Sequence, residues 1–133
     1  GSLKYLVEKY KQNVTHTSFL QPKDLVKKLK ESHALILPSI FEPWGVILQE
    51  AAACGLPIIA SDEVGSATKF LINNFNGYRF VSSKKDKKNL KIVLEKLISL
   101  PVENLESFSK GSLTLANKIE TSSAVANLLS LFN

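Results

Sequence analysis

Apolar positions recur along this chain at two spacings, and the change from one to the other lays out its elements. Leu3, Leu6, Val7 and Tyr10 follow the i, i+3, i+4, i+7 spacing of one helix face, with Lys4, Glu8, Lys9 and Lys11 outside it. Asn13 ends that helix. Residues 13–20 (NVTHTSFL) alternate and are rich in β-branched side chains, which predicts a strand. Pro22 then opens a second helix at its first turn, with Leu25, Val26 and Leu29 inward and lysines outward. Residues 33–37 (HALIL) form a short apolar run closed by Pro38, the pattern of a buried parallel strand.

The next stretch, VILQEAAAC at 46–54, has no Pro, Gly or Asn, is rich in helix formers, and stops at Gly55-Leu56-Pro57. A second buried strand follows at 57–61. Strand, helix and strand in so short a span make a βαβ unit, whose crossover is expected to be right-handed. Beyond Asp62 the chain turns at Gly65-Ser66 and enters a short helix, about 67–72. The cluster NNFNG (73–77) makes a turn before a short strand at 78–81. Ser83 and Asp86 offer cap oxygens for a helix carrying Leu90, Val93, Leu94, Leu97 and Ile98, which Pro101 stops. Two further helical stretches are predicted, 102–118 and 121–131. No internal repeat and no low-complexity linker interrupt this order. It predicts one domain over residues 1–133, of α/β class, with a Rossmann-like, mostly parallel sheet flanked by helices.

Composition narrows the functional classes. A chain of 133 residues with 44% apolar and 22% charged residues has enough material for a real core. The sequence contains no apolar run long enough to span a bilayer and no signal-peptide pattern at its start. The single cysteine, Cys54, excludes an internal disulfide, fits a reducing compartment, and falls on the apolar helix as a small hydrophobe. The absence of any Cys/His cluster argues against structural zinc. Net charge is +5, and every basic residue except Arg79 is lysine. Nucleic-acid readers lean on arginine for bidentate contacts, so a nucleic-acid partner is not expected. The run KKDKK (84–88) reads as a solvated loop and helix start.

Candidate chemistry concentrates between Ser39 and Gly55. Two carboxylates, Glu42 and Glu50, stand there with seven residues between them and a Pro-Trp-Gly turn after the first. With a helix beginning near Gly45, Glu50 sits about 7 Å along the axis. The free N–H groups of the helix start then lie between the two acids, and a helix N-terminus is a natural phosphate seat. The loop 39–44 leaves the carboxyl end of a parallel strand, where ligands of such folds bind. An acid, a phosphate seat and a second acid suit a ligand with hydroxyls at both ends and phosphate in the middle, the layout of a nucleotide sugar. Simpler readings stand beside this one. Glu42 could serve only the helix dipole, and Glu50 could be a solvent-facing acid on a mostly buried helix. His16 and His33 have no carboxylate or nucleophile near them in sequence and read as structural.

The stretch FEPWGVILQEAAACGLPIIASDEVG (41–65) resembles the donor-binding signature of retaining glycosyltransferases of the GT-B fold, family-4 type, also described as glycosyl transferases group 1. The resemblance is locally specific in its Glu, seven residues, Glu core and its Gly-x-Pro entry to a strand, and looser over most of the chain. It implies that the chain is part of a C-terminal donor-binding domain of a hexosyltransferase-type enzyme. Such an enzyme moves a sugar from a nucleotide diphosphate to a hydroxyl with retention. By resemblance, Glu50 hydrogen-bonds the ribose hydroxyls, and Glu42, the catalytic-site acid, holds donor-sugar hydroxyls beside the reacting carbon. The N–H groups of Gly45, Val46 and Ile47 hold sugar hydroxyls and the distal phosphate, and a side chain at Gly45 would obstruct that close backbone approach. Ser39 contacts ligand or caps the turn, and Trp44, where the family more often has Phe, stacks on ligand or fills core. Residues 17–20 are placed near the nucleotide base. The resemblance implies no cofactor and no metal.

The chain departs from the family at its second loop, with Gly65-Ser66 and Lys69 in place of Gly-Gly and then Glu. No match to the family's phosphate-clamping Arg and Lys precedes Leu3, and the acceptor-binding N-terminal domain is not in the sequence. The chain by itself is therefore expected to be inactive. The resemblance further implies cytoplasmic work on cell-surface polysaccharide or glycolipid, with peripheral contact at the inner face of a membrane. Two alternatives stay open at this stage: a catalytically silent binding or assembly module of the same fold, and a GT-B epimerase or phosphorylase, against which the Glu42–Glu50 pair argues.

Overall fold

The protein is described by a computed structural model covering residues 4–82 and 88–130, with side-chain surroundings up to residue 118. The elements run α1 (Lys4–Lys9), α2 (Pro22–Lys30), β1 (Leu35–Leu37), α3 (Val46–Ala53), β2 (Ile58–Ser61), α4 (Ala67–Phe70), β3 (Gly77–Phe80), α5 (Lys88–Ile98) and α6 (Val102–Ser130). The three strands form one parallel sheet in sequence order, β1-β2-β3. Leu35 pairs with Ile58, and Ile58 in turn with Gly77.

β2 is central and buried along its whole length. Its alternating side chains feed two cores, as a period of two dictates for a strand covered on both faces. Ile58 and Ala60 join Leu48 and Ala52 of α3, Ala67 and Phe70 of α4, and Ala116 of α6. Ile59 joins Tyr78, Phe80, Leu97 of α5 and Phe108 of α6 on the other face. A third cluster packs Leu29 of α2 against Ala51 and Leu56, with Cys54 half-buried at its side. Each fully buried Ile or Leu in these layers contributes about 1.5–3 kcal/mol relative to exposure. Among the described residues no buried side-chain nitrogen or oxygen lacks a hydrogen-bond partner.

Most predicted elements stand within a residue or two. Pro22 occupies the first turn of α2, as its missing N–H and fixed φ favour. Several expectations are corrected. Residues 13–20 form no strand; they run as a turn and extended coil, nearly all exposed, with Phe19 at 87%. Their alternation is real, but a strand needs a neighbour for its N–H and C=O groups, and β1 bonds only β2. For the same reason β1 is an edge rather than a buried strand, and Ile36 is 43% exposed. Tyr10, expected on the inner face of α1, is exposed, and so is Val26 of α2. The two predicted C-terminal helices are one, α6, because no Pro or Gly falls between residues 118 and 121 to break it. Ser83, Asp86 and most of the lysine run lie outside the described residues. Among the described residues no helix is long and apolar enough to cross a membrane.

Candidate functional site

Two loops leave the carboxyl ends of β1 and β2 and are bonded to each other through their backbones. Glu42 N–H donates to Glu63 C=O at 3.1 Å, and Gly65 N–H donates to Glu42 C=O at 3.0 Å. Glu42 thereby pairs with Val64 as a parallel bridge, extending the β1–β2 ladder past both strands. One step on, Ser66 N–H donates to Trp44 C=O at 2.8 Å and the buried Ser66 hydroxyl donates to Gly45 C=O at 3.0 Å. Ser61 Oγ donates to Ser39 C=O at 2.6 Å and fixes the root of the first loop. A Cβ on Gly65 would stand 2.1 Å from Pro43 O, so only glycine lets the loops close to this distance.

Gly45 is the hinge into α3. Its φ of +80° lies in the left-handed region, and a Cβ there would press on Glu42 Cγ, Val64 Cγ1 and Leu37 Cδ2 at 3.1–3.2 Å. The sequence expectation assigned Gly45 to close ligand approach; the backbone and these three neighbours already require it. α3 then begins at Val46 with no side-chain cap. Among the described residues the N–H groups of Gly45, Val46 and Ile47 donate to no acceptor. They form a row of free donors at the positive end of the helix dipole.

The predicted site residues gather around this row. Glu42 is half-buried at the loop junction, and its carboxylate does not cap α3. Glu50, on the second turn, is also half-buried. Neither carboxylate has a hydrogen-bond or ion-pair partner among the described residues. Glu50 lines a cleft of 310 Å³ between α3, α4 and α6, together with Val46, Gln49, Ala53, Phe70 and Ala116. Trp44 does not fill core; it is 38% exposed, and Lys69 Nζ stands 5.3 Å from its ring centroid. Ser39 contributes its carbonyl to the loop root, and its hydroxyl has no partner among the described residues. Residues 17–20, expected beside a base, are not brought into this cluster by any strand. His16 and His33 are exposed. Among the described residues no three His, Cys, Asp or Glu side chains converge.

Sequence reasoning gave no role to Ser61, and it noted Ser66 and Lys69 only as departures from the family's second loop. Two short hydroxyl residues fully buried beside strand ends are the mark of loop clasps, but burial is a tertiary property that spacing alone does not carry.

Residues 2–113 match the family described as Glycosyl transferases group 1. An uncharacterised glycosyltransferase of Methanocaldococcus jannaschii is 30% identical over 67 residues, 50% of this chain and 17% of that protein. Sucrose-phosphate synthase from Thermosynechococcus elongatus superimposes with a TM-score of 0.75 at 21% identity, over 97% of this chain and 34% of its own. Anabaena HepE in complex with UDP superimposes with a TM-score of 0.77 at 18% identity, over 97% of this chain and 36% of its own. The chain thus spans a minor part of each relative's length, and its three-stranded parallel sheet with flanking helices matches part of the fold of these GT-B neighbours. With most of its length matching, the chain belongs to the glycosyl transferases group 1 family.

Proposed function

We propose that this chain is the donor-binding part of a glycosyltransferase that moves a sugar from a nucleoside diphosphate to a hydroxyl acceptor with retention at the anomeric carbon. One observation carries the reading: the free N–H groups of Gly45, Val46 and Ile47 stand at the start of the helix that holds Glu50, with Glu42 on the loop before it, and neither acid has a partner of its own. In this reading the N–H row takes the distal phosphate and sugar hydroxyls. Glu42 accepts from the sugar hydroxyls next to the reacting carbon, and Glu50, on the cleft wall, accepts from the ribose. Ser39 and Trp44 border the sugar. The UDP held by HepE belongs to the ligand class proposed here.

Catalysis in this scheme rests on placement and on electrostatics. Departure of the sugar leaves negative charge on the diphosphate, and pre-set N–H donors at a helix start stabilise that charge without reorganising. The acceptor seat belongs to the rest of the enzyme, so the 133 residues alone should bind donor and transfer little or none of it. We place the parent enzyme in cell-surface polysaccharide or glycolipid synthesis, at the cytoplasmic side of a membrane.

The test is a calorimetric titration of the chain with UDP, GDP, ADP and their sugars, beside Glu50→Gln. One nucleotide should bind saturably, and the mutant should bind it roughly tenfold more weakly, the size expected for losing hydrogen bonds to a charged acceptor. Equal affinity of mutant and wild type would remove Glu50 from the site, and a folded chain that binds no nucleotide would end the donor reading.

A further inference from the structure

The second loop carries a charge that the donor scheme leaves idle. Lys69 Nζ is 5.3 Å from the Trp44 ring centroid, and both side chains are exposed. Among the described residues the Lys69 ammonium has no carboxylate partner and donates no hydrogen bond; only the backbone N–H donates, to Ser66 C=O at 3.0 Å. Its backbone is well fixed. Three residues earlier, Ser66 is bonded to the carbonyls of both Trp44 and Gly45. The next residue, Phe70, is buried and walls the cleft shared by Val46 and Glu50. The ammonium is thus held one side chain away from the residue that opens the row of free N–H donors.

A lysine resting on an exposed ring is weakly held, because the ring quadrupole competes poorly with water and with anions. A phosphate oxygen offers a full charge and a charge-assisted hydrogen bond, so it wins the ammonium when both are within reach. We propose that Lys69 is a donor-binding residue: it leaves the Trp44 ring to take an oxygen of the diphosphate whose other oxygens the α3 N–H groups hold. Trp44 then serves as its parking place in the empty site. This inference rests on the donor reading above and adds to it a cation supplied by the second loop, from α4.

Trp44 is the only tryptophan in the sequence, so tryptophan emission reports on the surroundings of this one ring. UDP, GDP and ADP are titrated into the 133-residue chain, together with the nucleoside matching whichever diphosphate binds. In wild type the diphosphate should change Trp44 emission saturably. Lys69→Gln should shift emission of the free protein and shrink the ligand-induced change. It should weaken the diphosphate by about fivefold, the upper range for one exposed charge pair, and leave the nucleoside unaffected. Lys110→Gln, an exposed lysine on α6, controls for net charge and should bind like wild type. If Lys69→Gln binds diphosphate like wild type while Glu50→Gln weakens it, Lys69 is idle and the donor reading stands. Equal losses in Lys69→Gln and Lys110→Gln reduce the effect to net charge and overturn the inference. Absence of diphosphate binding by folded wild type overturns both.

Discussion

Gly45 joins backbone conformation to chemistry at a single position. Its left-handed φ turns the chain from the loop into α3, whose first N–H groups have no preceding helical turn to bond. An L-residue in that region costs about 1–2 kcal/mol, and the three side chains around the missing Cβ must also yield. Gly45→Ala is therefore expected to lose at least that much stability in urea denaturation; an unchanged midpoint would mean the loop has an alternative path. The glycine itself was legible in the sequence, but for a different reason, since ligand approach can be guessed from a motif and a φ angle cannot. The want of any partner for Glu42 and Glu50 was likewise invisible until neighbouring elements were in place. Tyr78 offers a pH prediction at the same scale. Burial raises its phenol above the ordinary 10.0, because the folded core disfavours the phenolate. With the folded value above the unfolded one, its contribution is complete below about pH 10 and is lost as pH rises through the folded value. Tyr78→Phe keeps the edge-on contact with Phe108 at 5.5 Å between centroids. It should match wild type within about 0.5 kcal/mol at pH 7 and lose less of its melting temperature at about pH 10.5. Parallel losses in the two proteins would place the alkaline transition elsewhere.

Elements report how far pattern reading reaches. Helices with strong punctuation, Pro22 before α2 or Gly55-Leu56-Pro57 after α3, came out at their predicted ends because local chemistry decides them. Residues 13–20 did not, since alternation describes side chains while a strand is made by its neighbour's backbone. The joint between α4, β3 and α6 was also beyond sequence reading. There the fully buried Asn76 donates to Phe70 C=O at 2.8 Å and to Ser112 Oγ at 3.1 Å, and accepts from Ile72 N–H at 2.8 Å. Ser112 Oγ in turn donates to Leu56 C=O at 2.6 Å. This network ties the turn before β3 to α6 and to the end of α3, and every member is satisfied. Asn76→Ala strands the buried Phe70 carbonyl and leaves the Ile72 N–H without its acceptor, so a loss of about 2–3 kcal/mol is expected. A denaturation midpoint within error of wild type would show water filling the gap.

For the molecule as a whole, a parallel sheet flanked by helices followed from the βαβ pattern, the strand order β1-β2-β3 came only with the structure, and the family resemblance pointed to the loop that bears the acids. Charge acts at this scale too. With a net +5 and a row of free N–H donors, the chain should hold phosphate-bearing ligands more weakly as salt rises, while a bare nucleoside should respond little. Titrations at about 0.05 M and 0.5 M ionic strength, where the screening length shrinks several-fold, should separate the two; a salt-blind diphosphate would mean that charge plays no part in its capture. The clasp between the two loops has a consequence of another kind. Apart from the Ser66 and Ser61 hydroxyls and the glycine required at 65, it is made from main-chain N–H and C=O groups, which every residue but proline carries in full. Descent can therefore rewrite the side chains it displays, exchanging one ring for another at Trp44 or one charge for its opposite at Lys69, while the frame beneath is inherited intact.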